Sequence, residues 1–129
     1  MKLYIVRHAE AEPSRGAGEA ADASRKLTER GHRRAARAGA VLARLGVEPN
    51  AIWTSPLIRA RQTADRLAAA LPETPVQQIQ ALGGRSDFNE LRRQLYKEKC
   101  DAVILVGHQP FLGECVQYWL AGRAHPGMH

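Results

Sequence analysis

Ala102-Val103-Ile104-Leu105-Val106 is an unbroken apolar run, closed by Asp101 before it and Gly107 after it. A run without polar alternation reads as a strand covered on both faces, the habit of parallel sheets flanked by helices. Leu3-Tyr4-Ile5-Val6 reads the same way, as a buried strand over residues 2–6. Both runs end abruptly, the first in Arg7-His8 and the second in Gly107-His108. Two histidines therefore stand at the carboxyl ends of buried strands, the address at which open α/β sheets bind ligands.

The chain between them alternates. Residues 9–27 carry Pro13, Gly16, Gly18 and many small side chains, which predicts a long loop of a length that is commonly functional or mobile. Thr28 is placed to cap a helix with Glu29 in its first turn; the helix runs to about Leu45, with Ala38, Val41, Leu42 and Leu45 inward, and ends at Gly46. Ala51 to Thr54 predicts a short strand. Pro56 then sits near the first turn of a second helix whose apolar side carries Ala60, Ala64, Leu67, Ala68 and Leu71. Beyond Pro72 and Pro75 come a weak strand, Val76 to Ile79, the Gly83-Gly84 turn, and a third helix from about Asp87 to Lys97 with Phe88, Leu91 and Leu95 inward. Pro110 opens a fourth helix to about Leu120, and residues 122–129 read as a short, loose tail. The expected fold class is α/β: a three-layer sandwich with a mostly parallel central sheet of about four to five strands and helices on both faces.

At 129 residues and 44% hydrophobic content, the chain suits one domain over residues 1–129. No apolar run is long enough to span a bilayer, and the start lacks the basic-then-apolar pattern of a leader, so the expectation is a cytoplasmic protein with no membrane partner. Cys100 and Cys115 are lone thiols of the kind a reducing compartment keeps; Cys115, on a helix with no basic cluster beside it, reads as packing. A net charge of +6 favours anionic partners. Arg30, Arg33, Arg34, Arg37 and Arg44 line one side of the first helix. Without interleaved aromatics to stack bases, they read as a solvated face and not as a docking face for nucleic acid. Gly16-Ala17-Gly18 follows no strand and opens no helix, so it is not a dinucleotide fingerprint. His125 and His129 have the spacing of metal ligands on a helix, but Pro126 and Gly127 argue against a helix there. Arg15, Arg25 and Lys26, in the long loop, read either as recruiters of an anionic substrate or as a solvated basic stretch.

The residues at the strand ends point to phosphate. A neutral imidazole is a nucleophile able to accept a phosphoryl group, and a strand end fixes its position. Arginine offers planar, permanently charged donors that match phosphate oxygens in pairs. Arg7 and Arg59, the latter delivered by the third apolar segment, would clamp a phosphoryl group attacked by His8, and His108 would add a donor if protonated. Each has a plainer reading: His8 as a strand-end histidine, Arg7 paired with Glu10 or Glu12, His108 as a helix-start residue beside Pro110, Arg59 as a surface arginine. It is their common placement just past strand ends that favours a site.

Leu3-Tyr4-Ile5-Val6-Arg7-His8-Ala9-Glu10 resembles the Arg-His-Gly signature of the histidine phosphatase (phosphoglycerate mutase-like) superfamily. Ser55-Pro56-Leu57-Ile58-Arg59-Ala60-Arg61-Gln62-Thr63-Ala64 resembles its second block, Val106-Gly107-His108-Gln109-Pro110 its Gly-His segment, and Leu27-Thr28-Glu29-Arg30-Gly31 its Leu-Thr-x-x-Gly. The blocks stand in the family's order, and the small size and compact insertions are most similar to the SixA-type phosphohistidine phosphatases. The resemblance implies His8 as nucleophile; Arg7, Arg59, His108 and Gly107 around the phosphoryl group; and neither metal nor cofactor. Larger relatives carry a glutamate acid before the third helix, whereas Ala81 to Asp87 holds no glutamate and only Asp87 as a weak stand-in. An alcohol leaving group needs a proton to depart quickly. The P–N bond of a phosphohistidine breaks more easily, so the missing acid favours that substrate. Relatives also continue past the fourth helix with a strand or two, so the expected sheet has an uncovered edge.

The function expected from the sequence is a phosphohistidine phosphatase acting on a histidine-phosphorylated protein domain through phospho-His8 and releasing inorganic phosphate. The alternatives are a broad phosphomonoesterase acting on small phosphorylated molecules, and a non-catalytic anion-binding or partner-docking protein.

Overall fold

The computed structural model describes residues 1–124. Four strands, β1 (Lys2–Arg7), β2 (Ala51–Thr54), β3 (Val76–Gln78) and β4 (Ala102–Gly107), form one parallel sheet in the order β1-β4-β2-β3. Five helices connect or follow them: α1 (Glu19–Ala23), α2 (Glu29–Arg44), α3 (Ile58–Ala70), α4 (Phe88–Glu98) and α5 (Phe111–Ala124), with a 3₁₀ turn at Gln80–Leu82.

The continuous apolar run of β4 is explained by its place between β1 and β2, where every residue from Ala102 to Gly107 is buried. Its side chains alternate between two cores. Ile104 and Val106 face α3 and α2, meeting Ala60, Ala64, Leu67 and, at the rim, Ala38 and Leu42. Val103 and Leu105 face α4 and α5, meeting Leu91, Leu95, Leu112 and Cys115. The three-layer α/β sandwich is thus the fold, with four strands in the sheet among the described residues.

Several local expectations need correction. Leu3, Tyr4, Ile5 and Val6 are half-buried and not buried, because β1 is an edge strand of the sheet among the described residues. On α2, Val41 and Leu45 are 46% and 73% exposed, because the buried row is Gly31, Ala35 and Gly39. Residues four apart share a helix face, and Val41 lies off that row. A Cβ on Gly39 would lie 3.1 Å from Leu67 Cα, so the two helices meet through small residues.

The stretch over residues 9–27 is not a plain loop. It carries α1, and its ends are tied by an Ala11–Leu27 bridge, by Glu12 N–H donating to the Lys26 carbonyl at 2.8 Å, and by burial of Leu27. Thr28 caps α2 as expected, its Oγ1 accepting from Gly31 N–H at 2.9 Å. Asp87 lies just outside α4 and caps it, Oδ1 accepting from Glu90 N–H at 3.1 Å. Burial at Cys115 pushes its thiol pKa up to about 11, in keeping with packing. Residues 122–124 continue α5 where a loose tail was expected, and the rest of that tail, with His125 and His129, lies outside the described residues. Among the described residues no helix is long and apolar enough to cross a membrane.

Candidate active site

The parallel register sets the site. β1 and β4 pair Arg7 with Gly107, so the residues that follow, His8 and His108, become lateral neighbours. Their ring centroids are 5.1 Å apart, the planes tilted by 53°. His8 N–H donates to the Gly107 carbonyl at 3.0 Å, which carries the ladder one step past the strands.

His8 Nδ1 lies 2.8 Å from the Ala9 carbonyl oxygen. A carbonyl only accepts, so Nδ1 holds the proton and Nε2 keeps its lone pair. Ala9 N–H donates to Thr63 Oγ1 at 3.0 Å, and that hydroxyl donates to the Arg59 carbonyl at 2.8 Å. The turn bearing His8 is therefore tied to α3. Burial lowers the His8 pKa from its ordinary value; the Ala9 hydrogen bond opposes this, and the positive charges of Arg59, Arg7 and Arg25 add to the lowering. A ring held neutral with a free Nε2 is a nucleophile at neutral pH.

Arg59, the second residue of α3, is buried. One terminal nitrogen donates to the Asp22 carbonyl at 2.8 Å and the other to Asp22 Oδ2 at 3.1 Å. Asp22 Oδ1 takes Arg25 at 3.1 Å, and Arg25 Nε donates to the Glu12 carbonyl at 2.7 Å. The hydrogen bond from Arg25, with further help from Arg59, holds the Asp22 carboxyl below its usual range. Arg59 Nε is buried and has no partner among the described residues.

His108 Nε2 lies 2.7 Å from Ser55 Oγ, while Nδ1 is buried without a partner among the described residues. Burial, with Arg59 and His8 nearby, lowers its pKa to about 4. At neutral pH the His108 ring is therefore uncharged, and any hydrogen bond it gives comes from a neutral imidazole.

Arg7 is exposed at the end of β1, close enough for its charge to lower the His8 pKa. Glu10, one candidate partner for Arg7, is engaged instead by Thr28 Oγ1 at 2.9 Å and Arg30 at 3.9 Å. Gly107 is buried, with its carbonyl on His8 N–H. Asp87, the weak candidate for an acid, is occupied as a helix cap. A cleft of about 960 Å³ opens on the Asp22 side, lined among others by Leu57, Gln80, Gly84, Arg85 and Asp87. Among the described residues, no group of three or more His, Cys, Asp or Glu side chains is placed to hold a metal ion.

The structure therefore brings His8, Arg59 and His108 together. It adds Asp22, Ser55 and Thr63, which the sequence reading had given no role, and turns Arg25 from a loop cation into a partner of Asp22. The acid-base spacing Asp22 to Arg25 was visible in the sequence, but not that α1 folds onto Arg59.

A model of the histidine phosphatase superfamily (branch 1) matches residues 3–86, a stretch that holds Arg7, His8 and Arg59 but not His108. An uncharacterized protein from Picosynechococcus sp. is 41% identical over 117 residues, covering 88% of this chain and 70% of that protein. The structure of the protein histidine phosphatase SixA complexed with tungstate superposes with a TM-score of 0.76 at 26% identity, covering 90% of this chain and 74% of that one. The same fold occurs in a mycobacterial glucosyl-3-phosphoglycerate phosphatase, with a TM-score of 0.71 at 19% identity over 92% of this chain and 79% of that one.

Proposed function

Because this chain belongs to the histidine phosphatase superfamily, we propose that it is a phosphohistidine phosphatase, forming one catalytic domain over residues 1–129 and acting on a histidine-phosphorylated protein. The observation that carries this reading is His8, whose Nδ1 is pinned to the Ala9 carbonyl and whose Nε2 is left free beside Arg59 and His108.

In the proposed reaction the His8 Nε2 lone pair forms a bond to phosphorus as the P–N bond of the substrate breaks. The departing imidazole nitrogen keeps that electron pair and takes a proton from solvent. Water then attacks phosphorus, the pair of the N–P bond returns to His8, and inorganic phosphate leaves. Arg7 and Arg59 neutralise the oxygens through both steps, His108 donates to one of them, and Gly107 sets the backbone against which His8 is held. Of the four carboxylates lining the cleft, three are engaged elsewhere and the fourth, Glu19, stands in the first turn of α1, which supports a leaving group that needs no enzyme acid from those three. Asp22 is ionised and bound to two arginines, Asp87 caps α4, and Glu90 pairs with Arg93 at 2.6 Å. Lone Cys100 and Cys115 suit a reducing compartment, so we place the reaction in the cytoplasm, with no cofactor called for.

The cleft of about 960 Å³ favours a second reading, since that volume accommodates a small phosphorylated molecule. Phosphate release from a phosphohistidine-bearing protein and from p-nitrophenyl phosphate, measured side by side in EDTA with His8→Ala as control, separates the two. Fast release from the phosphohistidine alone is the expected result. Preference for the ester supports the small-molecule reading, and release from neither, or an active His8→Ala protein, overturns both.

A further inference from the structure

We propose that Ser55 is a positioning residue that fixes His108 in the tautomer with its proton on Nδ1, so that an uncharged imidazole donates a hydrogen bond to the phosphoryl group. The proposal deepens the reading above and rests on it, since it takes the site to hold phosphate.

Ser55 follows β2 directly and is wholly buried, its N–H donating to the Val106 carbonyl at 2.9 Å. Its Oγ accepts from Leu57 N–H at 3.2 Å. The hydroxyl hydrogen is then free to point elsewhere, and His108 Nε2 stands 2.7 Å from the same oxygen. A hydroxyl donating to Nε2 makes that nitrogen the acceptor, and a neutral ring must then carry its proton on Nδ1. Nδ1 is the atom that is buried without a partner among the described residues.

The opposite arrangement has two costs. With Nε2 as donor, the buried hydroxyl hydrogen loses the acceptor that the geometry offers it. Nδ1 would also present a lone pair to an arriving anion. The charges facing His108 come from three elements: Arg59 on α3, His8 at the end of β1 and Asp22 on α1. Burial, with Arg59 and His8 beside the ring, holds its pKa down to about 4, and Asp22 opposes them. Charging the ring is therefore not the route to a donor at neutral pH, and choosing the tautomer is.

The test is nitrogen-15 NMR of histidine-labelled full chain at pH 7.5, with inorganic phosphate as the probe. The expected wild-type spectrum shows His108 Nε2 as the bare nitrogen and Nδ1 as N–H. Ser55→Ala should mix the tautomers and weaken inorganic phosphate binding about tenfold, the size of one lost hydrogen bond to a charged group. His8 should keep its Nδ1–H form in that variant, and Ser55→Thr, which retains the hydroxyl, should restore both His108 readouts. A wild-type His108 protonated on Nε2, or a folded Ser55→Ala protein with unchanged tautomer and phosphate affinity, overturns the proposal. Should Ser55→Ala fail to fold, the wild-type spectrum decides alone. A chain that hydrolyses nothing yet shows the Ser55-dependent tautomer overturns the phosphatase reading and upholds this one.

Discussion

Asp22 holds both ends of the Arg59 fork, its backbone carbonyl 2.8 Å from one terminal nitrogen and its Oδ2 3.1 Å from the other. The arginine is buried and the aspartate half-exposed, with side chains 7% and 47% accessible. Removing the carboxylate leaves a buried cation without its counter-charge, a loss of about 1 kcal/mol because water reaches Asp22 and screens the pair. Asp22→Ala should therefore unfold at lower urea than wild type. Inorganic phosphate should stabilise the variant more than the wild type, because the anion supplies the missing negative charge to Arg59. Equal stabilisation of both proteins by phosphate would show that Asp22 does not balance Arg59.

The two histidines make stability depend on pH. Both have folded pKa values below the ordinary 6.5, His108 at about 4. Between those values the unfolded chain binds more protons than the folded one, so stability rises with pH through the window. The contribution is fully present above pH 6.5 and is lost as pH falls toward 4. Urea midpoints measured from pH 7.5 to 4.5 should fall on acidification, and His108→Gln should flatten that fall. An equally steep fall in the variant would place its cause elsewhere.

Much of this was legible in the sequence, for physical reasons. The uninterrupted apolar run of β4 required cover on both faces, and the two strand-end histidines became neighbours once the register paired Arg7 with Gly107. Thr28 capped its helix because cap chemistry is local. What was not legible depended on long-range placement. Val41 and Leu45 looked inward, but the buried row of α2 is Gly31, Ala35 and Gly39; Gly39 lets α2 approach the α3 backbone at Leu67 and Gly31 lets it approach the Glu10 backbone, which turns the larger residues outward. Asp22 and Ser55 act across 37 and 53 residues of chain, and no periodicity announces such partners.

Arginine and lysine should not exchange at position 59. The Arg59 nitrogens that hold Asp22 and the buried Nε belong to one planar fork, which can serve the carboxylate and a phosphoryl group together. A lysine ammonium offers a point charge in one place. Arg59→Lys should lower kcat/KM by about a hundredfold, with kcat falling as well as KM rising, as for a group that tightens on the transition state. A variant with wild-type kcat would confine Arg59 to ground-state binding.

Gly31 should matter to the site although it lies outside it. A Cβ there would stand 2.1 Å from the Glu10 carbonyl oxygen, a backbone atom that has no rotamer by which to retreat. Glu10 follows the His8-Ala9 turn, and its carbonyl also accepts from Thr28 N–H at 3.0 Å. An alanine must push α2 away from that turn or push the turn toward the pocket. Gly31→Ala should cost about 2 kcal/mol, within the ordinary range for overpacking, and should also slow phosphate release in the fraction that remains folded. Gly39→Ala is the control. Its Cβ would meet Leu67 Cα at 3.1 Å, a contact that a few tenths of an ångström relieve, and it faces α3 well away from His8. Its loss of stability should be smaller and its rate unchanged. If the two variants matched in both measurements, the fit of α2 against the Glu10 backbone would have no special part in holding His8.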